Sequence, residues 1–250
     1  MQLPQRDNML VTQLTPKGKS QTIVEIDYDQ TIVLPNKKLL LYDIRENAEL
    51  SADVWEVLLK DLQSDALKKC GSLLKDMDYT EQGLALRLQR SGYPDSIVQE
   101  VIKWMKEAGY LDDRRYAENY LHCHMQDRSR FRMRMELREK GIPDSVLDEV
   151  YNAWEMELAD EIDAAETGQI RAIMRKRGYQ PDAADLLQQQ KMISFLQNKG
   201  YSSDIIRTAM AGAQGDEDSP RNGDGLHAQH ETASNEMNHE MSRFCTCLDT

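Results

Sequence analysis

Apolar and polar residues alternate only near the start of the chain. Met9-Leu10-Val11-Thr12-Gln13-Leu14, Thr22-Ile23-Val24-Glu25-Ile26-Asp27 and Gln30-Thr31-Ile32-Val33-Leu34 are short runs rich in β-branched residues, and Pro16-Lys17-Gly18-Lys19 separates the first from the second. Such runs between turn residues predict two or three strands in a small antiparallel meander within residues 1–50. Lys37 to Asp43 is a brief apolar segment. Ser51 then stands ahead of Val54, Leu58, Leu59 and Leu62, which places a helix N-cap at 51 and an apolar helical stripe behind it.

From residue 51 to 212 the period is helical and is broken by one recurring stop signal. A Schellman cap needs glycine in the left-handed conformation just past the helix, with the following apolar residue packing back on the position four before the glycine. Leu88 precedes Gly92-Tyr93, Met105 precedes Gly109-Tyr110, Leu137 precedes Gly141-Ile142, Met174 precedes Gly178-Tyr179, and Leu196 precedes Gly200-Tyr201. Five helix ends are thereby placed. Pro94 and Pro143 follow two of the glycines, where a fixed φ suits the start of the next helix. The segments around Gly92, Gly141 and Gly200 also align through Val98, Leu147 and Ile206, which reads as an internal repeat of about three helices per unit. Chance agreement between ordinary helix-glycine-helix joints is the alternative.

Composition narrows the function classes. The 31 basic and 43 acidic residues leave a net charge of −12, which argues against a protein that coats nucleic acid with uniform positive charge. Charged residues make up 30% of the chain and interrupt every apolar run, so no membrane span is expected. Met1 to Asp7 has no apolar signal core, and Cys70, Cys123, Cys245 and Cys247 form no spaced framework, so a cytoplasmic location is expected. Residues 213–250 carry few large apolar groups and no period, and read as a disordered acidic tail.

Tyr79-Thr80-Glu81-Gln82 through Gly109-Tyr110-Leu111-Asp112-Asp113-Arg114-Arg115-Tyr116-Ala117, followed by Glu136-Leu137-Arg138-Glu139-Lys140-Gly141-Ile142, resembles the RecX family of recombinase regulators over roughly residues 65–210. The resemblance implies a mainly α fold of tandem three-helix repeats in an elongated curved array, with the meander as an N-terminal extension. Composition, period and resemblance together put the divisions at 1–50, 51–111, 112–154, 155–212 and 213–250, the last with no counterpart in the family. The resemblance also implies a non-enzymatic monomer that binds the RecA filament in its helical groove and lowers its ATPase, strand-exchange and co-protease activities, in DNA repair and the SOS response. The chain departs from the family at Ser129, where many relatives have glycine, and in a longer first helix of the third repeat.

Within that frame the candidate contact residues are cationic. Arg114 and Arg115 fall in the first turn of a helix, where its dipole gains nothing from them, although solvated charge explains them equally. Asp112 or Asp113 is expected to cap that helix, with Tyr116 and Ala117 turned inward. Arg128, Arg130, Arg132, Arg134, Arg138 and Lys140 oppose only Glu136 and Glu139 between 128 and 140. Arg130, Arg134 and Arg138 share one helical face beside a buried Met133 and Leu137, an array suited to carboxylate or phosphate acceptors. A solubilising mixed-charge face is the alternative, and direct weak DNA contact through this patch is a second functional reading.

Residues 142–170 hold nine carboxylates and no cation, including Glu157, Asp160 and Glu161. They read as a solvated helix face, or as a surface competing with DNA for the filament. His122-Cys123-His124 point about 100° apart on a helix and cannot converge on one metal, so no cofactor or metal is expected. No nucleophile elbow or phosphate-binding loop is found, and Trp55, Trp104 and Trp154 are expected in the core.

Overall fold

The computed structural model describes residues 8–211. The tail at 213–250, with Cys245 and Cys247, lies outside the described residues. Up to Asp112 the chain forms one compact unit, and from Asp113 a second.

The first unit begins with β1 (Asn8–Lys17), β2 (Gln21–Ile26) and β3 (Gln30–Pro35), the expected meander. β4 (Glu49–Ser51) adds to the free edge of β1, giving an antiparallel sheet in the order β3-β2-β1-β4. At three residues β4 is too short to carry an alternating pattern, which is why the sequence does not announce it. Val24 lies opposite Leu14 on one side and Ile32 on the other, so one face of the sheet is continuously apolar. The apolar segment after β3 is a short helix, α1 (Asn36–Leu41). Ser51 accepts a hydrogen bond from the Val54 N–H at 3.4 Å and opens α2 (Ala52–Asp76), followed by α3 (Glu81–Arg90) and α4 (Asp95–Glu107).

Val24, Ile26, Ile32 and Leu34 of the sheet pack in one core with Leu58 and Leu62 of α2, Leu84 and Leu88 of α3, and Val98 and Val101 of α4. The strands therefore share their core with the first helical module. Cys70 lies fully inside this core, and burial pushes its thiol up to about 11. Since the thiolate is the reactive species, Cys70 is expected to resist iodoacetamide at pH 8 in the native protein and to react promptly in urea, as read by peptide mass mapping. Rapid native labelling would contradict the buried position.

All five expected helix stops form. Gly92, Gly109, Gly141, Gly178 and Gly200 have φ of 87°, 76°, 89°, 63° and 90°. The following N–H reaches back each time: Tyr93 to Leu88 O (3.3 Å), Tyr110 to Met105 O (2.9 Å), Ile142 to Leu137 O (3.2 Å), Tyr179 to Met174 O (3.0 Å) and Tyr201 to Leu196 O (3.2 Å). Those five acceptor residues are all buried, so each cap is also a packing contact.

The second unit contains α5 (Asp113–His124), α6 (Arg130–Glu139), α7 (Asp144–Lys176), α8 (Leu186–Asn198) and α9 (Ser203–Ala211). α7 kinks at Leu158, whose φ of −125° and ψ of 25° are not helical. Its first half packs with α5 and α6 around Tyr120, Leu121, Met133, Leu137, Leu147 and Trp154. Ile170 and Met174 in its second half pack with α8 and α9 around Leu196, Tyr201 and Ile206. One helix thus serves two small cores, and residues 154 and 155, where the repeats were expected to divide, lie inside it. The helix that opens the third repeat is this continuation of α7.

Candidate functional site

The arginine-rich segment is helical because its ends are satisfied locally. Ser129 accepts from the Arg132 N–H at 3.4 Å and caps α6, which ends at the Gly141 stop. The Ser129 hydroxyl also donates to Lys199 O at 2.9 Å, which holds the start of α6 against the end of α8 and gives this residue a role that glycine would not fill. Tyr201 donates to the Gln169 side-chain oxygen at 2.9 Å, and the Gln169 amide in turn donates to Met125 O at 2.8 Å. The loop before α6 is therefore fixed from the third repeat.

Met133 and Leu137 are buried, as the helical spacing predicts. Arg130, Arg134 and Arg138 lie along the neighbouring face, and carboxylates of α7 meet them. The Arg130 guanidinium contacts Glu166 and Asp163, both at 2.8 Å, with Glu155 at 4.0 Å. Arg134 pairs with Asp148, and Arg138 lies 2.7 Å from Asp144. Arg114 on α5 reaches Glu118 at 2.9 Å and Glu149 at 3.5 Å. Asp144, Asp148, Glu149, Glu155, Asp163 and Glu166 act as counterions for the arginines, and all but Glu166 also stay solvated, as expected of this face. Glu157, Asp160 and Glu161 remain exposed and make no ion pair among the described residues.

Glu166 is the least exposed of these, with a side chain at 3% accessibility. Beyond its bonds to the Arg130 guanidinium it accepts the Arg130 backbone N–H at 2.7 Å. It caps α6 from outside, as an anion placed at a helix N-terminus that lacks an acidic residue of its own. Burial works against the Arg130 charge, yet Glu166 and Asp163 outweigh it and raise the pKa. Sequence reading missed Glu166 as a structural residue.

Arg128 and Lys140 sit over aromatic rings. Arg128 donates to Glu136 at 2.9 Å and to the Tyr120 hydroxyl, with its guanidinium 5.7 Å from the Tyr120 ring centre. Lys140 Nζ lies 6.0 Å from the Tyr116 ring and 5.7 Å from the Tyr120 ring. Burial, with the Glu136 charge behind it, pushes the Tyr120 hydroxyl far above the usual phenol range. Burial also opposes ionisation of Glu136, but hydrogen bonds from Tyr120, Arg132 and Arg128 outweigh it and hold the carboxyl below its ordinary value.

The candidate cations therefore divide. Arg128, Arg130 and Arg134 are half-buried in internal networks. Arg132, Arg114 and Arg138 keep side-chain accessibilities of 66%, 53% and 45%, and Arg115 is exposed beside Arg114 on α5. Arg114, Arg115, Arg132 and Arg138 are thus exposed on α5 and α6, two helices that share one core. Tyr116 and Ala117 turn inward as expected, and Trp154 is buried, whereas Trp104 is not.

Residues 112–150 match the family pattern described as RecX, second three-helix domain, and residues 166–210 match RecX, third three-helix domain. The chain is 33% identical over 148 residues to the regulatory protein RecX of Trichlorobacter lovleyi, covering 58% of this chain and 92% of that relative. It is 31% identical over 147 residues to the regulatory protein RecX of Halorhodospira halophila, covering 58% of this chain and 86% of that one. Among solved structures, a crystal structure of regulatory protein RecX superposes with a TM-score of 0.53 at 18% identity, covering 81% of this chain and 99% of that chain. The structure of RecX from Lactobacillus salivarius gives the same score over 62% of this chain and 98% of its own. Both share the fold. No helix among the described residues is long and apolar enough to cross a membrane.

Proposed function

This chain belongs to the RecX family of regulatory proteins, and we propose from that premise that it binds the RecA filament and lowers its ATPase, strand-exchange and co-protease activities. The observation that carries the reading is the outward cationic set Arg114, Arg115, Arg132 and Arg138, on a repeat whose helix α6 is capped by Ser129 and Glu166 and stopped at Gly141. Guanidinium groups on a preorganised helix pair suit carboxylates of a protein lattice, and they set association rate and specificity more than total affinity. Arg128, Arg130, Arg134 and Lys140 belong to the same surface in this reading, as its inner row. The protein acts as a regulator, with no catalytic step assigned to it.

The test is ATP hydrolysis by RecA on single-stranded DNA with this protein titrated in. Inhibition at substoichiometric ratios is expected. The combined reversal Arg114→Glu, Arg115→Glu and Arg132→Glu should raise the half-inhibitory concentration about tenfold or more with unchanged circular dichroism, as rim charges do when they steer association. Full inhibition by that variant would refute the contact assignment, and no inhibition by the parent would refute the function.

Direct DNA binding through residues 128–140 is the second reading. It draws on the same cations, five of which already face carboxylates. A salt series with DNA alone separates the two, because phosphate contacts produce a steep loss of affinity with salt.

A further inference from the structure

Trp104 is 48% exposed on α4, although its helical position predicts a core residue. It stacks on the exposed Tyr110, with ring centres 6.1 Å apart and planes 25° from parallel. Together they form one wall of a groove of about 520 Å³ whose other wall is α2. Leu67 and Leu74, each half-buried, lie along that second wall. The floor between them is Gly71. A glycine inside a 25-residue helix weakens it, and no internal packing requires this one, since a β-carbon there would meet nothing within 4 Å. The missing side chain is what keeps the groove open.

We propose that this groove docks an acidic segment of a partner protein, seating one bulky apolar side chain of that segment over Gly71 between Trp104 and the α2 leucines. Charge selects the class of partner. The only charged side chains lining the groove are Lys68 and Lys75, one helical turn on either side of Gly71. Lys68 is 3.7 Å from Asp65, and Lys75 makes no ion pair among the described residues. An apolar anchor flanked by carboxylates would bury the anchor and meet both ammonium groups at the rim, the arrangement of a hot spot within a polar ring. Single-stranded nucleic acid fits less well. Two lysines do not track a phosphate backbone, and the aliphatic α2 wall offers no ring opposite Trp104 to sandwich a base.

The experiment uses the full chain and a fluorescein-labelled peptide with a single Phe between Asp residues, followed by anisotropy. Saturable binding is expected. Gly71→Leu should fill the groove and weaken binding about tenfold or more while the helical signal and thermal midpoint stay level or rise, because leucine favours helix over glycine. Trp104→Ala should weaken it similarly, and Lys75→Glu several-fold at low salt with little effect at high salt. Absence of saturable binding, or binding untouched by Gly71→Leu, overturns the proposal. So does tighter binding of labelled oligothymidylate that Gly71→Leu abolishes, or a dimer in sedimentation that dissociates in the same variant, since either names a different occupant.

Discussion

Glu166→Ala is expected to destabilise the second unit by about 3–5 kcal/mol, the range for removing one partner of a buried ion pair. The loss has three parts on the same carboxylate: two hydrogen bonds to the Arg130 guanidinium at 2.8 and 3.2 Å, and the one at 2.7 Å that caps the first N–H of α6. Alanine would leave a half-buried guanidinium with Asp163 at 2.8 Å and the more distant Glu155 at 4.0 Å, and an orphaned helix-end donor. Urea unfolding monitored by circular dichroism measures the effect. Pairing Glu166→Leu with Arg130→Met should recover a large share of it, because an apolar pair of similar volume carries no desolvation cost. A loss below about 1 kcal/mol for Glu166→Ala would mean that water substitutes for the carboxylate, which its burial disallows.

This has a practical consequence for mapping the partner surface. Arg130→Glu would set a carboxylate against Glu166, Asp163 and Glu155, so a loss of regulation in that variant would report unfolding. At 66% exposure Arg132 faces one carboxylate, Glu136 at 2.8 Å, rather than three, so its reversal is the milder test of contact.

Gly92→Ala is the second large expected effect, at about 3 kcal/mol or more. Holding a non-glycine residue in the left-handed region costs about 1–2 kcal/mol. At Gly92 the new β-carbon would also overlap the side chain of Val33 and come within 3.3 Å of its Cα, adding about 1–3 kcal/mol of overpacking. The strand cannot retreat cheaply, because the Val33 N–H donates to Gly92 O at 3.0 Å and ties β3 to the end of α3. Gly178→Ala has the same sign of φ but open space around it, so it should cost only about 1–2 kcal/mol. Gly200→Ala falls between them, since its overlap with Phe131, 2.7 Å from the ring and 2.8 Å from the Cβ, is shallower than the overlap with Val33 at Gly92. Chemical denaturation of the three variants should rank Gly92 above Gly200 above Gly178. A rank with Gly178 first would show that packing at Gly92 yields without cost.

The five helix ends are legible in the chain because a Schellman cap closes within six residues and needs only a glycine and two apolar positions. The meander is legible for a similar reason: alternation and a Pro-Gly turn are local. β4 and α1 are too short for any period to show. Trp104 sits on the same amphipathic helix as the buried Val101 and Met105. Whether such a position is covered depends on which residue of α2 faces it, and that residue is Gly71.

By itself, then, the sequence determined where helices start and stop, which residues of each face inward, and the repeat relationship that led to the family. Tertiary structure alone decided the fate of the charges. Arg130 meets Glu166 across 36 positions of chain and Arg134 meets Asp148 across 14, because α7 folds back along α6. A carboxylate becomes a counterion or a solvated surface group according to that distance in space, and Coulomb attraction carries no record of the order in which the residues were joined.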